Sequence, residues 1–356
     1  MNDPRIIAVE TAVPETSFSQ ARLAEVFGVG NKKIQKLFAN SHIKKRHLVL
    51  PVAGEGGEQG EEAIAEESAD ELADKQLRGV IKLGSEALGG AAKKCGVQLR
   101  ELDYIVCVTS TGFLCPGMSA LLTKELNLKE NISRVDVVGM GCNAAMNALQ
   151  PLVNYLRLFP DKVGALVCVE NCSAAYVNNE EMVTAVVNSL FGDGGAAVIA
   201  AGCEYKGKLD PSLPRILDFE SQIVTEAQHT MRFDHENGKL AFFLDKDIPY
   251  FLGENIHKPV FRLWERHNLK KRHISRWLVH SGGKKVIDSI KVNLGLTDYD
   301  LRHTLSVLEE YGNISSCSVL FSLKRLSEEG EVREGDLGTL ITMGPGASIE
   351  TALLGW

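Results

Sequence analysis

Long hydrophobic runs are missing from this sequence. Over its 356 residues, no apolar stretch approaches the roughly 20 residues that a membrane-spanning helix needs, so we expect no membrane partner. The opening residues, MNDPRIIAVETAVPE, lack the basic segment and apolar run of a secretory signal peptide. We therefore predict a cytoplasmic protein.

Metal-binding cysteine spacing and an excess of positive charge are missing as well. The eight cysteines form no C-x-x-C pair, which argues against a structural zinc site, and cytoplasmic thiols are normally reduced. The formal net charge of −7 argues against nucleic acid as the main partner, because nucleic-acid-binding proteins usually present a basic face. The 44% hydrophobic and 24% charged content is ordinary for a globular enzyme.

Short apolar runs recur along the chain and are separated by helical patterns. Runs of this length without alternation are typical of strands buried on both faces of a sheet. Strands that alternate with helices in both halves predict an α/β fold with parallel strands, and the loose similarity of the halves suggests an internal duplication. The predicted strands lie within 104–112, 134–141, 165–173, 196–202, 276–283 and 338–346, and the predicted helices within 118–127, 143–158, 180–190, 284–294 and 300–311.

One cysteine occupies a position suited to chemistry. Cys142 follows the strand predicted over 134–139 and directly precedes a helical pattern. The unpaired amides and the dipole at a helix N-terminus favour a thiolate, so Cys142 is a candidate nucleophile. Cys107 and Cys168 lie inside strand runs and are predicted to be buried packing residues.

A histidine and an asparagine could join Cys142 in one pocket. His280 ends the run RWLVH before a glycine-rich loop, a position that favours a cleft over the core. Asn313 follows a predicted helix, a position that by itself favours a helix C-cap or a turn over a catalytic role. The histidines that lie among charged residues are predicted at the surface: His47, His273 and His303.

These three residues resemble the active-site pattern of type III polyketide synthases, the chalcone synthase-like members of the thiolase superfamily. The motifs GMGCNA, SLFGDG, LAFFLDKDIP, LVHSGGKKVID, YGNISS and MGPG follow one another in the family's order over nearly the whole chain. TSTGFLCPGMSAL and CSAAY resemble the bacterial branch that forms 3,5-dihydroxyphenylacetyl-CoA. Ser281, where plant enzymes usually carry proline, also fits that branch.

The resemblance implies a five-layered αβαβα thiolase-like fold made of two similar halves. Residues 1–215 would carry the nucleophile, and residues 216–356 would carry the histidine and the asparagine. It further implies a homodimer that uses CoA thioesters as substrates, with no metal and no redox cofactor.

The resemblance also assigns roles to residues. Cys142 would carry the growing acyl chain, paired as a thiolate with a His280 imidazolium. His280 and Asn313 would donate hydrogen bonds to the thioester oxygen of malonyl-CoA. Phe191 and Phe242, which without the resemblance would be read as core residues, would guard the site. Other implied substrate-site residues are the pocket residues Ser110, Thr111, Cys172, Ala174 and Ser315, the wall residues Gly344, Pro345 and Gly346, and Cys115, which would reach the partner's active site.

CoA carries phosphates that need cations near the mouth of the site. Lys33 and Lys36 match the family's basic positions, whereas Asn40 stands at a third such position. Residues 44–46, KKR, could replace that contact or could form a solvated helix face.

Several activities stay open at this point. The sharpest hypothesis is conversion of four malonyl-CoA, one serving as the starter, into 3,5-dihydroxyphenylacetyl-CoA. Another acyl-CoA starter would give a pyrone or an alkylresorcinol. A single-condensation ketoacyl synthase III-like enzyme would share the Cys-His-Asn set, and a catalytically silent partner subunit would be expected to have lost Cys142.

Overall fold

The computed structural model describes residues 3–27, 30–53, 63–176, 182–236 and 238–356. The strands of these segments are β1 (Arg5–Ala12), β2 (Ser17–Ser19), β3 (Lys45–His47), β4 (Val52–Ala53), β5 (Ala63–Ile64), β6 (Tyr104–Val108), β7 (Ser133–Val137), β8 (Val163–Asn171), β9 (Asp193–Ala201), β10 (Arg215–Ile223), β11 (Met231–Glu236), β12 (Lys239–Leu244), β13 (Arg276–Val279), β14 (Leu337–Gly344) and β15 (Ser348–Gly355). The α-helices are α1 (Gln20–Val26), α2 (Lys32–Ala39), α3 (Ala69–Cys95), α4 (Met118–Glu125), α5 (Ala144–Leu158), α6 (Met182–Leu190), α7 (Ile248–Asn255), α8 (His257–Arg266), α9 (Lys284–Leu294), α10 (Arg302–Tyr311) and α11 (Ser318–Glu329).

The six apolar runs all form strands, and the predicted helices are present. The start of the helix predicted over 180–190 lies outside the described residues. The prediction of parallel strands is only partly right: β6 is parallel to β7 and β8, and β13 is parallel to β14, but β9 and β15 run antiparallel to β8 and β14. Unbroken apolar runs report burial on both faces and carry no information about strand direction. The short connection 345–347 joins β14 to β15 as a hairpin, which requires antiparallel strands.

The main sheet has the same strand order on both sides of its centre. Its order is β13-β14-β15-β10-β1-β9-β8-β6-β7, and β10 and β1 are joined through the single pair Arg5–Arg215. Read outward from that junction, β1-β9-β8-β6 on one side corresponds to β10-β15-β14-β13 on the other. This repeat agrees with an internal duplication, while the boundary between residues 215 and 216 stays a prediction.

Alternate residues of each strand face different layers. Val106 and Val108 pack with α5 and α11 in a central core, whereas Ile105 and Cys107 pack with α3 and α4 on the outside. In the second half, Leu278 and Leu340 face the same central core, and Val279 and Ile341 face α8 and α9. The layers are therefore helix, sheet, helix, sheet and helix, which is the predicted αβαβα arrangement.

The two central helices begin at equivalent places in the repeat. α5 follows a 3₁₀ turn, Gly141–Asn143, and leads into β8. α11 follows a 3₁₀ turn, Ser315–Cys317, and leads into β14. The two turns contact each other, so the middle of the molecule brings together residues that are far apart in the sequence.

Candidate active site

Cys142 lies in the 3₁₀ turn before α5 and opens onto a cavity. The turn needs glycine at position 141, where φ is +67° and an added Cβ would lie 2.4 Å from Cδ of Pro345. Only 6% of Cys142 is exposed. The pKa of its thiol is raised to about 12, mainly by burial and to a lesser extent by the nearby Glu170, against the lowering effect of a hydrogen bond from Ser315.

His280 stands at the end of β13, as predicted, and is buried. Its backbone N–H donates to the carbonyl of Ile341 at 2.9 Å, which extends the strand pairing by one residue. Gly282 leaves room for the ring, because an added Cβ there would lie 3.2 Å from the imidazole Cδ2. Burial lowers the pKa of His280 to about 4, and its Nδ1 has no hydrogen-bond partner among the described residues.

Asn313 is buried two residues before the turn that starts α11. Its N–H donates to the Leu190 carbonyl at 2.9 Å, and its own carbonyl accepts from Gly192 at 3.0 Å. Its side-chain Oδ1 accepts from the N–H of Ser315 at 2.9 Å. With Oδ1 occupied, the amide nitrogen is the end that can donate to a substrate oxygen. The bond to Ser315 is the turn interaction that the sequence left open, and the donor role of Asn313 stays a prediction.

The predicted ion pair between Cys142 and His280 has to overcome the desolvation of both groups. Within the described part of the chain, the hydrogen bond to Cys142 comes from Ser315 Oγ at 3.5 Å, and none joins Cys142 to His280. Burial of each side chain by itself favours the neutral thiol and the neutral imidazole. The thiolate–imidazolium pair stays a prediction.

A buried carboxyl group that the sequence analysis did not identify lies close to Cys142. Glu170 at the end of β8 is fully buried and accepts hydrogen bonds from Ser110 N at 3.0 Å, from Ser110 Oγ at 2.9 Å and from Ser316 Oγ. Ser110 Oγ lies 3.3 Å from Ser315 Oγ, which in turn donates to Cys142. Burial raises the pKa of Glu170. A glutamate at the end of an apolar strand run was the signal that could have identified it.

The cavity above Cys142 holds about 380 Å³ of space, part of it open to solvent. Many predicted residues line it, and several lining residues were missed. The predicted lining residues are Ser110, Thr111, Cys142, Cys172, Phe191, Phe242, Ser315 and Pro345, and the others are Gly141, Ala175, Tyr176, Val187 and Phe233.

Ala174, Gly344 and Gly346 are not among the residues that line the cavity. Neither are His280 and Asn313, so their predicted place in one pocket with Cys142 stays a prediction. Residues 172–175 form a 3₁₀ turn, in which residues three apart share a face. Cys172 therefore points into the cavity together with Ala175, and Ala174 does not. Gly344 is instead required by Asn143, whose Oδ1 would lie 2.0 Å from an added Cβ.

Three aromatic rings close one side of the cavity. Phe191 and Phe242 meet edge to face, with ring centroids 5.3 Å apart. Phe233 stands opposite Phe242 in the β11–β12 hairpin, with ring centroids 4.9 Å apart. The two phenylalanines predicted to guard the site therefore belong to a cluster of three.

The basic residues proposed for CoA fall into different environments. Lys33 and Lys36 are exposed on α2, which packs against α6, the helix that carries the cavity residue Val187. Lys45 is exposed, and Lys44 pairs with Glu309. These two residues do not lie on a helix, since β3 begins at Lys45.

The suggestion that Arg46 contacts CoA is wrong. Its side chain is fully buried and is bonded within the protein. The surface prediction for His303 is wrong as well, because this histidine is buried against Glu329 at 3.1 Å. In both cases an ionisable side chain in a charged stretch turned inward to a specific partner.

The other cysteines with predicted environments are Cys107, Cys168 and Cys115. Cys107 and Cys168 are buried in strands, as predicted. Cys115 is exposed, two residues from Phe113, whose exposed fraction is 81%.

In the segments that the structure describes, no helix combines the length and apolarity needed to cross a membrane, and no three His, Cys, Asp or Glu side chains are grouped as metal ligands would be.

The comparisons with known proteins define the class of this chain. Two family models, described as the N-terminal and the C-terminal domains of chalcone and stilbene synthases, match residues 3–203 and 217–355. The chain belongs to this family, the type III polyketide synthases, which catalyse decarboxylating Claisen condensations. The predicted resemblance is confirmed.

Individual relatives sharpen this assignment. A 3,5-dihydroxyphenylacetyl-CoA synthase of Streptomyces toyocaensis is 47% identical over 356 residues, covering 99% of this chain and 90% of that protein. The enzyme of the same name from Amycolatopsis orientalis is 46% identical, with 99% and 93% coverage. The crystal structure of PKS-I from the brown alga Ectocarpus siliculosus matches with a TM-score of 0.91 at 25% identity, covering 100% of this chain and 98% of that one. The thiolase-like fold is confirmed.

Proposed function

We propose that this polyketide synthase joins four malonyl-CoA units, one of them as the starter, into 3,5-dihydroxyphenylacetyl-CoA. The observation that carries the proposal is the placement of Cys142 at a small, largely apolar cavity between the two central helix turns. Identity of 46–47% to synthases of that name supports the product. No metal or redox cofactor takes part in the proposed steps, which use side chains of the chain and CoA thioesters.

The chemistry begins with loading of Cys142. Its thiolate attacks the starter thioester, and CoA leaves as the thiol after taking up a proton. The thioester oxygen of a second malonyl-CoA then accepts hydrogen bonds from His280 and Asn313. Loss of CO2 leaves an enolate whose charge these donors stabilise.

Carbon–carbon bond formation follows. The enolate carbon attacks the acyl carbonyl on Cys142, and the Cys142 sulfur leaves, so the extended chain becomes a CoA thioester. Transfer back to the sulfur allows another round. The starter unit also loses its carboxylate as CO2 before the product is complete, and aromatisation of the cyclised chain releases water. Phe191 and Phe242 would exclude water from the enolate, while the small Ala175 and the polar Ser110 and Thr111 would shape the folding of the chain before ring closure.

The CoA moiety would lie over α2, with Lys33 and Lys36 facing its phosphates.

We also propose a homodimer. Phe113, Val138 and Met140 are 81%, 53% and 44% exposed, and they lie near Cys115 and the nucleophile turn in sequence. Contiguous exposed apolar side chains often mark a protein interface. A cytoplasmic location suits the eight free thiols.

Purified protein incubated with malonyl-CoA alone tests the activity. We expect an aromatic CoA ester with the mass of 3,5-dihydroxyphenylacetyl-CoA, together with released CO2. A product that appears only with a different acyl-CoA starter would overturn the substrate assignment. CO2 release with only short products would indicate a single-condensation enzyme, and no turnover would indicate a silent subunit.

A further inference from the structure

Arg46 is a buried cation with an unusual set of partners. It lies on β3 with no exposed surface. Its guanidinium donates from Nε to Gln20 Oε1 at 3.0 Å and from Nη1 to Tyr176 Oη at 3.0 Å. Nη1 also donates to the carbonyls of Asn188 at 2.7 Å and Phe191 at 2.6 Å. These acceptors are carbonyl, amide and hydroxyl oxygens, and burial lowers the pKa of Arg46 while the nearby Tyr176 and Asp193 raise it.

Burying such a charge costs free energy unless its donors are hydrogen-bonded, so the groups that Arg46 binds indicate its role. The carbonyls that Arg46 binds lie at the C-terminal end of α6, where helix carbonyls lack helical partners and a cation is favourable. Gly312 makes room for the arginine, because an added Cβ there would lie 2.8 Å from Arg46 Cδ. The arginine therefore caps α6 from inside the core.

The C-terminal end of α6 adjoins both Phe191, the ring proposed to guard the site, and Asn313, the proposed amide donor. Phe191 O is held by Arg46 and by the Tyr176 hydroxyl. Its neighbours on both sides are bonded to Asn313, through Leu190 O and Gly192 N. The ring of Phe191 packs with Cys142 and lines the cavity. One rigid junction thus sets the positions of both the ring and Asn313.

We infer that Arg46 is a positioning residue, which fixes the Phe191 ring and the Asn313 amide through the backbone carbonyl of Phe191. This inference rests on the proposed condensation. Loss of the hydrogen bonds from Arg46 should let the Phe191 ring move away from Cys142 and should displace the Asn313 amide. Decarboxylation would then be less well coupled to carbon–carbon bond formation, because the enolate would meet water.

The first test compares Arg46→Lys and Tyr176→Phe with the wild type. Lysine keeps the charge but cannot reproduce the several N–H donors of a guanidinium. Tyr176→Phe removes the hydroxyl that donates to the Phe191 carbonyl. We expect polyketide formation to fall by up to about 100-fold in Arg46→Lys, with a smaller fall in Tyr176→Phe. In both variants the ratio of CO2 released to product formed should rise. Arg157→Lys, which alters an arginine bound to the Leu217 carbonyl away from the cavity, should leave this ratio unchanged.

The second test does not depend on polyketide formation. Mass spectrometry would compare the rates at which a bulky maleimide and small iodoacetamide modify Cys142. We expect the bulky reagent to gain relative to the small one in both variants, while the core thiols of Cys107, Cys168 and Cys317 stay protected. General loosening would instead expose those core thiols as well.

The outcomes separate the two claims. A wild-type protein that makes no polyketide would overturn the proposed function, and the thiol test would still decide the role of Arg46. Folded variants with the wild-type CO2-to-product ratio and wild-type thiol selectivity would overturn the positioning role. If Arg46→Lys does not fold, Arg46→Gln, which keeps an amide donor without the charge, takes its place in both measurements, because Tyr176→Phe leaves the hydrogen bonds from Arg46 to Asn188 and Phe191 intact.

Discussion

At the scale of single residues, the sulfur of Cys142 should be required for extension but not for every step. We expect Cys142→Ala to abolish chain extension while some malonyl-CoA decarboxylation continues, because His280 and Asn313 remain to stabilise the enolate. Radiolabelled CO2 and product can be measured in the same reaction. Extension at the wild-type rate would contradict the role of Cys142 as acyl carrier.

A His280 imidazolium paired with Cys142 should lower the pKa of the Cys142 thiol, against the raising effect of burial. We expect His280→Ala to slow alkylation of Cys142 by iodoacetamide near neutral pH by about tenfold or more, since one pKa unit corresponds to a tenfold change in thiolate. The rate is measured against pH on intact protein. An unchanged rate would mean that the neutral pair favoured by the buried site predominates.

Glu170 should act on the same sulfur in the opposite direction. Its negative charge raises the pKa of Cys142, so we expect Glu170→Gln to lower that pKa and to speed alkylation at pH 8 by up to about tenfold. Because burial raises the pKa of Glu170 itself, the difference should shrink as the pH falls and the glutamate becomes neutral. Equal rates at every pH would show that Glu170 is uncharged throughout the range.

At the scale of elements, the turn before α5 depends on Gly141. We expect Gly141→Ala to destabilise the fold by about 1–3 kcal/mol, because φ is positive and Pro345 occupies the space. Urea unfolding measures the loss. Gly330→Ala is a matched control, since Gly330 has a φ of +69° with open space around it. Equal losses in the two variants would leave no role for contact with Pro345.

Element patterns in the sequence predicted much of the fold and part of the site. Burial on both faces identified the strands, and the start of a helix after a glycine turn identified Cys142. Strand direction was not predictable, because apolar runs look alike in either direction. Glu170 was missed and Arg46 was wrongly assigned to CoA, because the partners of both come from separate elements that only the tertiary structure brings together. Ala174 was assigned to the pocket by the family resemblance, and the 3₁₀ turn that turns Ala175 toward the cavity instead is not visible in the residue pattern.

At the scale of the whole molecule, the exposed apolar residues near Cys115 should mediate association. We expect the wild type to sediment at twice its 38.9 kDa mass and Phe113→Glu to shift the protein toward the monomer, because a charge there would have to be desolvated at the interface. Val292→Glu, at a residue 76% exposed on α9, should stay dimeric. A monomeric wild type would contradict the proposed dimer.

The repeated halves give Cys142 an equivalent residue in the second half. Cys142 stands two residues before α5, and Ser316 stands two residues before α11. The thiol and this hydroxyl are therefore counterparts, and Ser316 now binds Glu170. The same position of the repeat thus holds the candidate nucleophile in one half and, in the other, a hydroxyl that binds a buried carboxyl group. Neither half by itself contains a complete catalyst.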